Sequence, residues 1–269
     1  MRRKPAVAGS FYPAWPDALR REVEAYLGPE ASGAGEPAFA VLAPHAGYMY
    51  SGPCAGATYA KAHVPARVVV LGPNHTGLGA PLAIMDSGTW ETPFGDVPID
   101  TSLARAIERL DARLRVDALA HAREHSLEVQ IPFLLRRQPE LSLVPICVGT
   151  HRLADLVELG DALAEAIRGA GDDVLIVISS DMSHYIPFEE ARARDARAIT
   201  KMEALDPEGL HEVVEREGIS MCGYCPAVVG LRAARGLGAT TGSLVSYTSS
   251  GDRSGDYDSV VAYAGLVFH

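Results

Sequence analysis

Residues 68–79, VVVLGPNHTGLG, decide how the fold is read. Four consecutive apolar residues, three of them β-branched, suit a short strand covered on both faces. The run stops at Gly72-Pro73, and His75 follows among small residues that cannot pack an imidazole. The same arrangement recurs twice. AFAVLA (38–43) runs into Pro44-His45-Ala46-Gly47-Tyr48, and DVLIVIS (173–179) runs into Ser180-Asp181-Met182-Ser183-His184. Parallel strands bring their carboxyl ends to one edge, where open α/β sheets bind ligands. Three histidines at three such ends therefore point to one pocket.

Further strands are predicted at 67–71, 81–86, 141–148, 243–248 and 259–268. Helices are predicted at 15–27, 54–62, 102–110, 126–137, 153–170, 188–204, 207–217 and 227–236. Pro16 suits the first position of the first helix, with Asp17 favouring its N-terminal turn, and Asp100 is a plausible cap before the third. Residues 88–98, GTWETPFGDVP, read as a hairpin or flap, and the linker-like segment 28–37 separates nothing domain-sized. The alternation gives one α/β domain over residues 1–269. It is a three-layer α/β/α sandwich on a mostly parallel, mixed sheet, with an antiparallel edge from the last strands.

Composition narrows the function classes. A chain of 269 residues that is 48% hydrophobic can bury a large core. Its net charge is −10 and its only basic cluster is Arg2-Arg3-Lys4, which argues against nucleic acid and anionic membranes as partners. Only AVAG follows the paired arginines before Ser10, so no signal-peptide core is present, and no apolar run approaches a membrane span. The expectation is a cytoplasmic protein whose four cysteines, Cys54, Cys147, Cys222 and Cys225, are reduced.

Imidazole ligates metals and moves protons near neutrality. Two histidines from separate loops plus one anionic ligand make a common open metal site. Two anionic candidates stand out: Asp181, three residues before His184, and Cys222, in SMCGYCPA just ahead of a helix. Two rival motifs compete. Cys222-Gly-Tyr-Cys225 is a C-x-x-C, the spacing of a dithiol redox pair, and His121-Ala-Arg-Glu-His125 matches the H-x-x-E-H of a group of zinc peptidases. His121 reads as a surface side chain. His125 stands at a helix entrance with Ser126 as the cap, where a pocket wall is plausible. His63, His151, His211 and His269 read as surface.

PAVAGSFYP (5–13), APHAGYMYSG (43–52), LGPNH (71–75), EHSLEVQIPFL (124–134), SSDMSHY (179–185), Cys222-Gly223 followed by Pro226, and SGD…VAYAG near the C-terminus together resemble the Memo-like family. The prokaryotic branch of that family is called AmmeMemoRadiSam system protein B. The resemblance runs nearly end to end and in order. The family is similar in fold to the class III extradiol dioxygenases, whose sheet carries Fe(II) on two histidines and a carboxylate. The resemblance implies that His45 and His75 are the imidazole ligands and that Cys222 stands where the dioxygenases use glutamate. It gives His184 an acid/base role, makes His125 a further pocket histidine, and puts Asp181 in the same wall. A thiolate is softer than a carboxylate and shifts preference toward copper(I), zinc or thiolate-tolerant iron; iron(II) or copper is the expected cofactor, with zinc behind them. The implied activity is that of a metal-dependent oxidoreductase with a small-molecule or peptide substrate in the pocket. The alternative is a non-enzymatic adaptor that keeps the pocket. The resemblance also implies AMMECR-domain and radical-SAM proteins as partners.

Overall fold

The computed structural model describes residues 1–29, 33–171 and 173–269, so residues 30–32 of the linker-like segment lie outside the described set. In chain order the first half carries β1 (Arg2–Arg3), α1 (Pro16–Leu27), β2 (Ala40–Ala43), α2 (Tyr48–Lys61), β3 (Arg67–Pro73), β4 (Leu82–Ile84), β5 (Thr89–Thr92), β6 (Gly95–Pro98), α3 (Thr101–Leu110), β7 (Arg115–Val116) and α4 (Leu119–Ala122). The second half carries α5 (Ile131–Arg137), β8 (Ser142–Val148), α6 (Leu153–Ala170), β9 (Val174–Ser179), β10 (His184–Ile186), α7 (Phe188–Glu203), α8 (Pro207–Glu217), α9 (Tyr224–Leu237), β11 (Gly242–Ser249), α10 (Gly251–Ser254) and β12 (Val260–Phe268).

The main sheet runs β10-β12-β2-β9-β3-β8-β4-β7, with β11 pairing β12. Its centre, β2-β9-β3-β8, is parallel throughout, and these strands are buried along nearly their whole length. That matches their unbroken apolar sequence. The last strands form the expected antiparallel edge through β12. A second antiparallel pairing, β4 against β8, was not legible from its three residues. Helix α2, backed by α1 and α5, packs on the sheet at β2 and β12; α9, backed by α6 and α8, packs on β9, β3 and β2. The flap is a separate three-stranded sheet in which β1 pairs in parallel with the β5–β6 hairpin. Among the described residues no helix is long and apolar enough to cross a membrane.

Two prolines explain where helix boundaries depart from expectation. Helix α2 starts at Tyr48, not at Cys54, although Pro53 lies inside it. Proline cannot donate to the carbonyl four residues back. That carbonyl, Met49 O, instead accepts from Arg253 Nε at 2.9 Å. In the helix expected at 126–137, Pro132 cannot donate to Glu128 O. Residues Glu128–Gln130 tighten into a 3-10 turn, Ile131 N takes that carbonyl, and α5 begins only at Ile131. Ser126 is not a cap: its Oγ donates to Pro73 O, and its N–H is taken by Glu124 Oε1 at 2.9 Å. Asp100 and Pro16 act as expected.

Glu128 ties the N-terminal segment to this core. It is 1% exposed and accepts from Arg3 Nη1 at 2.6 Å, Ala6 N at 2.7 Å, Val7 N at 3.0 Å and Tyr12 Oη at 2.8 Å. Arg3, also buried, lies over the Trp90 ring at 4.1 Å and donates to the carbonyls of His121 and Glu124. Removing one member of a buried pair strands the other charge. Glu128→Ala is therefore expected to cost roughly 3–5 kcal/mol. It should also release the amides of Ala6 and Val7 to fast hydrogen exchange. Denaturant unfolding with exchange mass spectrometry measures both, and protected amides at wild-type stability would refute the clamp.

Candidate metal centre

The ends of β2 and β3 deliver His45 and His75 to one edge of the sheet, and the loop before α5 brings His125 beside them. Each of the three imidazoles offers a ring nitrogen within 4.8 Å of the other two. The His75 and His125 rings stack with centroids 4.7 Å apart, and His45 meets both edge-on at 5.2 and 5.5 Å. His45 is buried, whereas the side chains of His75 and His125 remain 33% and 23% exposed. The site is therefore open on one side.

Hydrogen bonds fix which ring nitrogens face inward. Glu124 is fully buried and accepts from His75 N at 2.6 Å, while its Oε1 is 2.9 Å from His75 Nδ1. Burial alone would raise the Glu124 pKa. The hydrogen bond and charge of His75 and the Ser126 N–H outweigh it and bring the carboxyl down to about 2. An ionised carboxylate only accepts, so in a neutral His75 the proton sits on Nδ1 and Nε2 is bare. At His45 the logic runs through Ser179. Its Oγ donates to Ser126 O at 2.6 Å and accepts from Gln130 Nε2 at 2.8 Å. It can only accept again from His45 Nδ1 at 2.9 Å, so Nε2 of His45 is bare as well. Burial, then the charges of His75, His125 and His184, hold His45 well below the usual imidazole range. Neutral imidazoles with bare Nε2 atoms are the form that binds metal.

Cys222 adjoins this group through His45: its Sγ lies 3.1 Å from His45 Nε2 and accepts from Asp181 N at 3.3 Å. Burial and the Asp181 carboxylate push the thiol up, so the sulfur keeps its proton and shares it with Nε2. Two donors at ~2.0 and ~2.3 Å from one ion, at roughly 90–109° to each other, stand ~3.1–3.5 Å apart. The His45–Cys222 separation lies within that range, while Cys222 is outside the group of three imidazoles. Asp181 accepts from His45 N at 2.7 Å, and burial raises its pKa to about 6. It lies in the site wall, turned toward the His45 backbone.

His184 is outside the three-imidazole group and opens the short strand β10 instead of lying in a free loop. Its Nδ1 donates to Ser220 O at 2.8 Å, leaving Nε2 as an acceptor. His121, expected at the surface, is fully buried against Trp90, and burial lowers its pKa to about 4. It belongs to α4, which ends at Ala122, so the H-x-x-E-H residues do not share a helix and His121 is not in the metal-ligating group. Glu124 and Phe11 are the members that sequence reasoning missed, Phe11 packing on His125 with ring centroids 4.8 Å apart. A buried glutamate leaves no periodic signal. The one available hint was its place beside His125.

The family model for Memo-like protein matches residues 3–267. MEMO1 family proteins are similar over the full chain. That of Aquifex aeolicus is 46% identical, covering 99% of this chain and 98% of its own. That of Methanopyrus kandleri is 43% identical, covering 100% and 99%. Among solved structures, an uncharacterized protein of Escherichia coli K12 superposes with a TM-score of 0.61 over 85% of this chain and 98% of its own. At 17% identity that likeness speaks for the fold alone.

Glu124→Gln tests the clamp on His75. The folded-state pKa lies below the ordinary 4.5, so the stabilisation is complete above about pH 4.5 and is lost as pH falls toward about 2. The wild type is expected to lose roughly 3 kcal/mol across that window through this group, and the variant should lack this component. Acid unfolding curves that superimpose after correction for baseline stability would contradict it. Metal affinity should fall roughly 10–100-fold in the variant, the usual effect of removing an orienting partner.

Proposed function

The chain belongs to the Memo-like family, and from that premise we propose that it is a metal-dependent redox protein working on iron(II) or copper. The observation that carries the reading is the cluster of three imidazoles within 4.8 Å, two of which have Nε2 bared by buried acceptors. His45, His75 and His125 hold the ion, and Cys222 adds a soft donor beside His45. The sulfur favours copper(I) or thiolate-tolerant iron over metals that prefer oxygen ligands. A bound ion of this kind would supply one-electron chemistry at the site.

The chain's own residues supply the rest. The exposure of His75 and His125 leaves room for a small-molecule or peptide substrate to approach, which supports an enzyme over a closed adaptor site. Phe11 packs its ring against His125. His184, its Nδ1 committed to Ser220 O, keeps Nε2 free to take a proton from a bound group. The kinship with extradiol dioxygenases belongs to this proposal, as do AMMECR-domain and radical-SAM partners.

Anaerobic purification with metal analysis, followed by oxygen uptake with catechols and cellular reductants, tests the reading. His45→Ala and His75→Ala are expected to abolish iron or copper binding. His184→Gln is expected to keep the metal and lower turnover by roughly 10²–10⁴, the range for a lost acid/base group. Full metal retention in both alanine variants would overturn the site. Metal loss in His184→Gln would make that residue a ligand.

A further inference from the structure

We propose that Cys222 and Cys225 form a reversible disulfide by exchange with a small disulfide of the glutathione class, and that closing it withdraws the Cys222 sulfur from His45. The disulfide itself does not rest on the metal reading.

The four cysteines fall into two kinds. Cys54 and Cys147 are fully buried, and their sulfurs meet backbone carbonyls, Ser246 O at 3.8 Å and Ala120 O at 3.6 Å. The two cysteines of the C-x-x-C each meet an imidazole instead. Cys222 Sγ is 3.1 Å from the bare Nε2 of His45, an acceptor for the thiol proton. Cys225 Sγ is 3.6 Å from His151 Nδ1. Tyr224 Oη donates to Glu215, so it can only accept from His151 Nδ1 at 2.7 Å. His151 therefore carries on Nδ1 a proton that Tyr224 Oη takes, and the Cys225 sulfur lies beside the same nitrogen. Each sulfur of the C-x-x-C thus lies against an imidazole, unlike those of Cys54 and Cys147.

The backbone puts the two within reach. Cys222 and Gly223 form the turn that enters α9, and Cys225 is the second residue of that helix. Cys222 lies just ahead of the helix, and a disulfide closes at a Cβ separation of about 3.5–4.5 Å, so closure moves the turn that carries Cys222. Gly223 is required there, since a Cβ would stand 2.3 Å from Ser179 O. Its N–H donates to Ser180 Oγ at 2.9 Å, which pins the turn to the end of β9. Of the four cysteines only Cys222 is more than slightly exposed, so it is the point of entry.

The reaction balances without further reagents. Cys222 sulfur attacks one sulfur of oxidised glutathione, forming a mixed disulfide and releasing one glutathione. Cys225 sulfur then attacks Cys222, forming the internal disulfide and releasing the second. The two protein thiols lose two electrons and two protons, and oxidised glutathione gains them as two thiols. Excess reduced glutathione reverses both steps. In the closed form the Cys222 sulfur is bonded to Cys225 and no longer available at His45.

The test equilibrates the full chain, stripped of metal by a chelator, with graded mixtures of oxidised and reduced glutathione. Free thiols are then trapped by alkylation and the products mapped by mass spectrometry. The expected result is one reversible two-electron transition to a Cys222–Cys225 disulfide, absent in Cys222→Ser and in Cys225→Ser and retained in Cys54→Ser. Melting curves confirm that each variant is folded. A persistent glutathione adduct on Cys222 in the wild type, a bond to Cys54 or Cys147, or no transition across the range would overturn the proposal. In a second arm the reduced and oxidised proteins are titrated with copper(I) or iron(II). Weaker binding by the oxidised wild type, restored by excess reduced glutathione, is the expected outcome. Equal binding by both forms would refute the withdrawal of the sulfur. Failure of the reduced protein to bind either metal would count against the metal reading and leave the disulfide result standing.

Discussion

The site depends on one buried carboxylate. Glu124 is sealed from solvent, yet it stays ionised because it receives the His75 backbone N–H, the His75 ring and the Ser126 N–H. A buried charge without such partners would cost several kcal/mol. The same bonds turn His75 so that Nε2 faces His45, and they shape the loop that carries His125. Four residues on, Glu128 does the equivalent for the N-terminal segment, gripping Arg3, Ala6, Val7 and Tyr12. One short stretch, EHSLE, thus anchors His75 with its first acid and the flanking wall with its second.

The sheet explains why this works at a single place. Strands β2, β9 and β3 are adjacent and parallel, so their carboxyl ends deliver His45, Asp181 with the approach to His184, and His75 to one edge. Helix α9 brings Cys222 to the same edge because Gly223 lies against Ser179 and Ser180 at the end of β9. Burial keeps His45 neutral, and the neutral ring is the one that binds a metal ion. Desolvation, which elsewhere is only a penalty, here selects the ligating form.

Much of this was legible in the sequence. The central strands were visible because continuous β-branched runs are what a doubly covered sheet requires. His45, His75 and His184 stood out because an imidazole after a strand-ending glycine or proline has little to pack on. The residues alone offered Asp181 and Cys222 as anionic donors and His125 as pocket wall; the resemblance chose Cys222, and the structure moves His125 into the group of imidazoles that can ligate. What stayed hidden depended on contacts distant in sequence. Glu124 and Glu128 look like exposed helix acids until the N-terminal segment and the β3 loop close over them. His121 reads as surface because Arg3 arrives from more than a hundred residues away and Trp90 from more than thirty. The start of α2 was misplaced because the carbonyl freed by Pro53 is satisfied by Arg253, two hundred residues later.

The central claim is that buried acceptors hold the strand-end histidines with Nδ1 protonated and Nε2 bare. Nitrogen-15 spectra of the histidine-labelled, metal-free protein near neutral pH test it most directly, since neutral histidine free in water favours the opposite tautomer. The account requires His45 and His75 each to show a protonated Nδ1 and an unprotonated Nε2. It also requires Glu124→Gln to release His75 alone from that state. A protonated Nε2 on His45 or His75, or averaging between the two tautomers in the wild type, would contradict it.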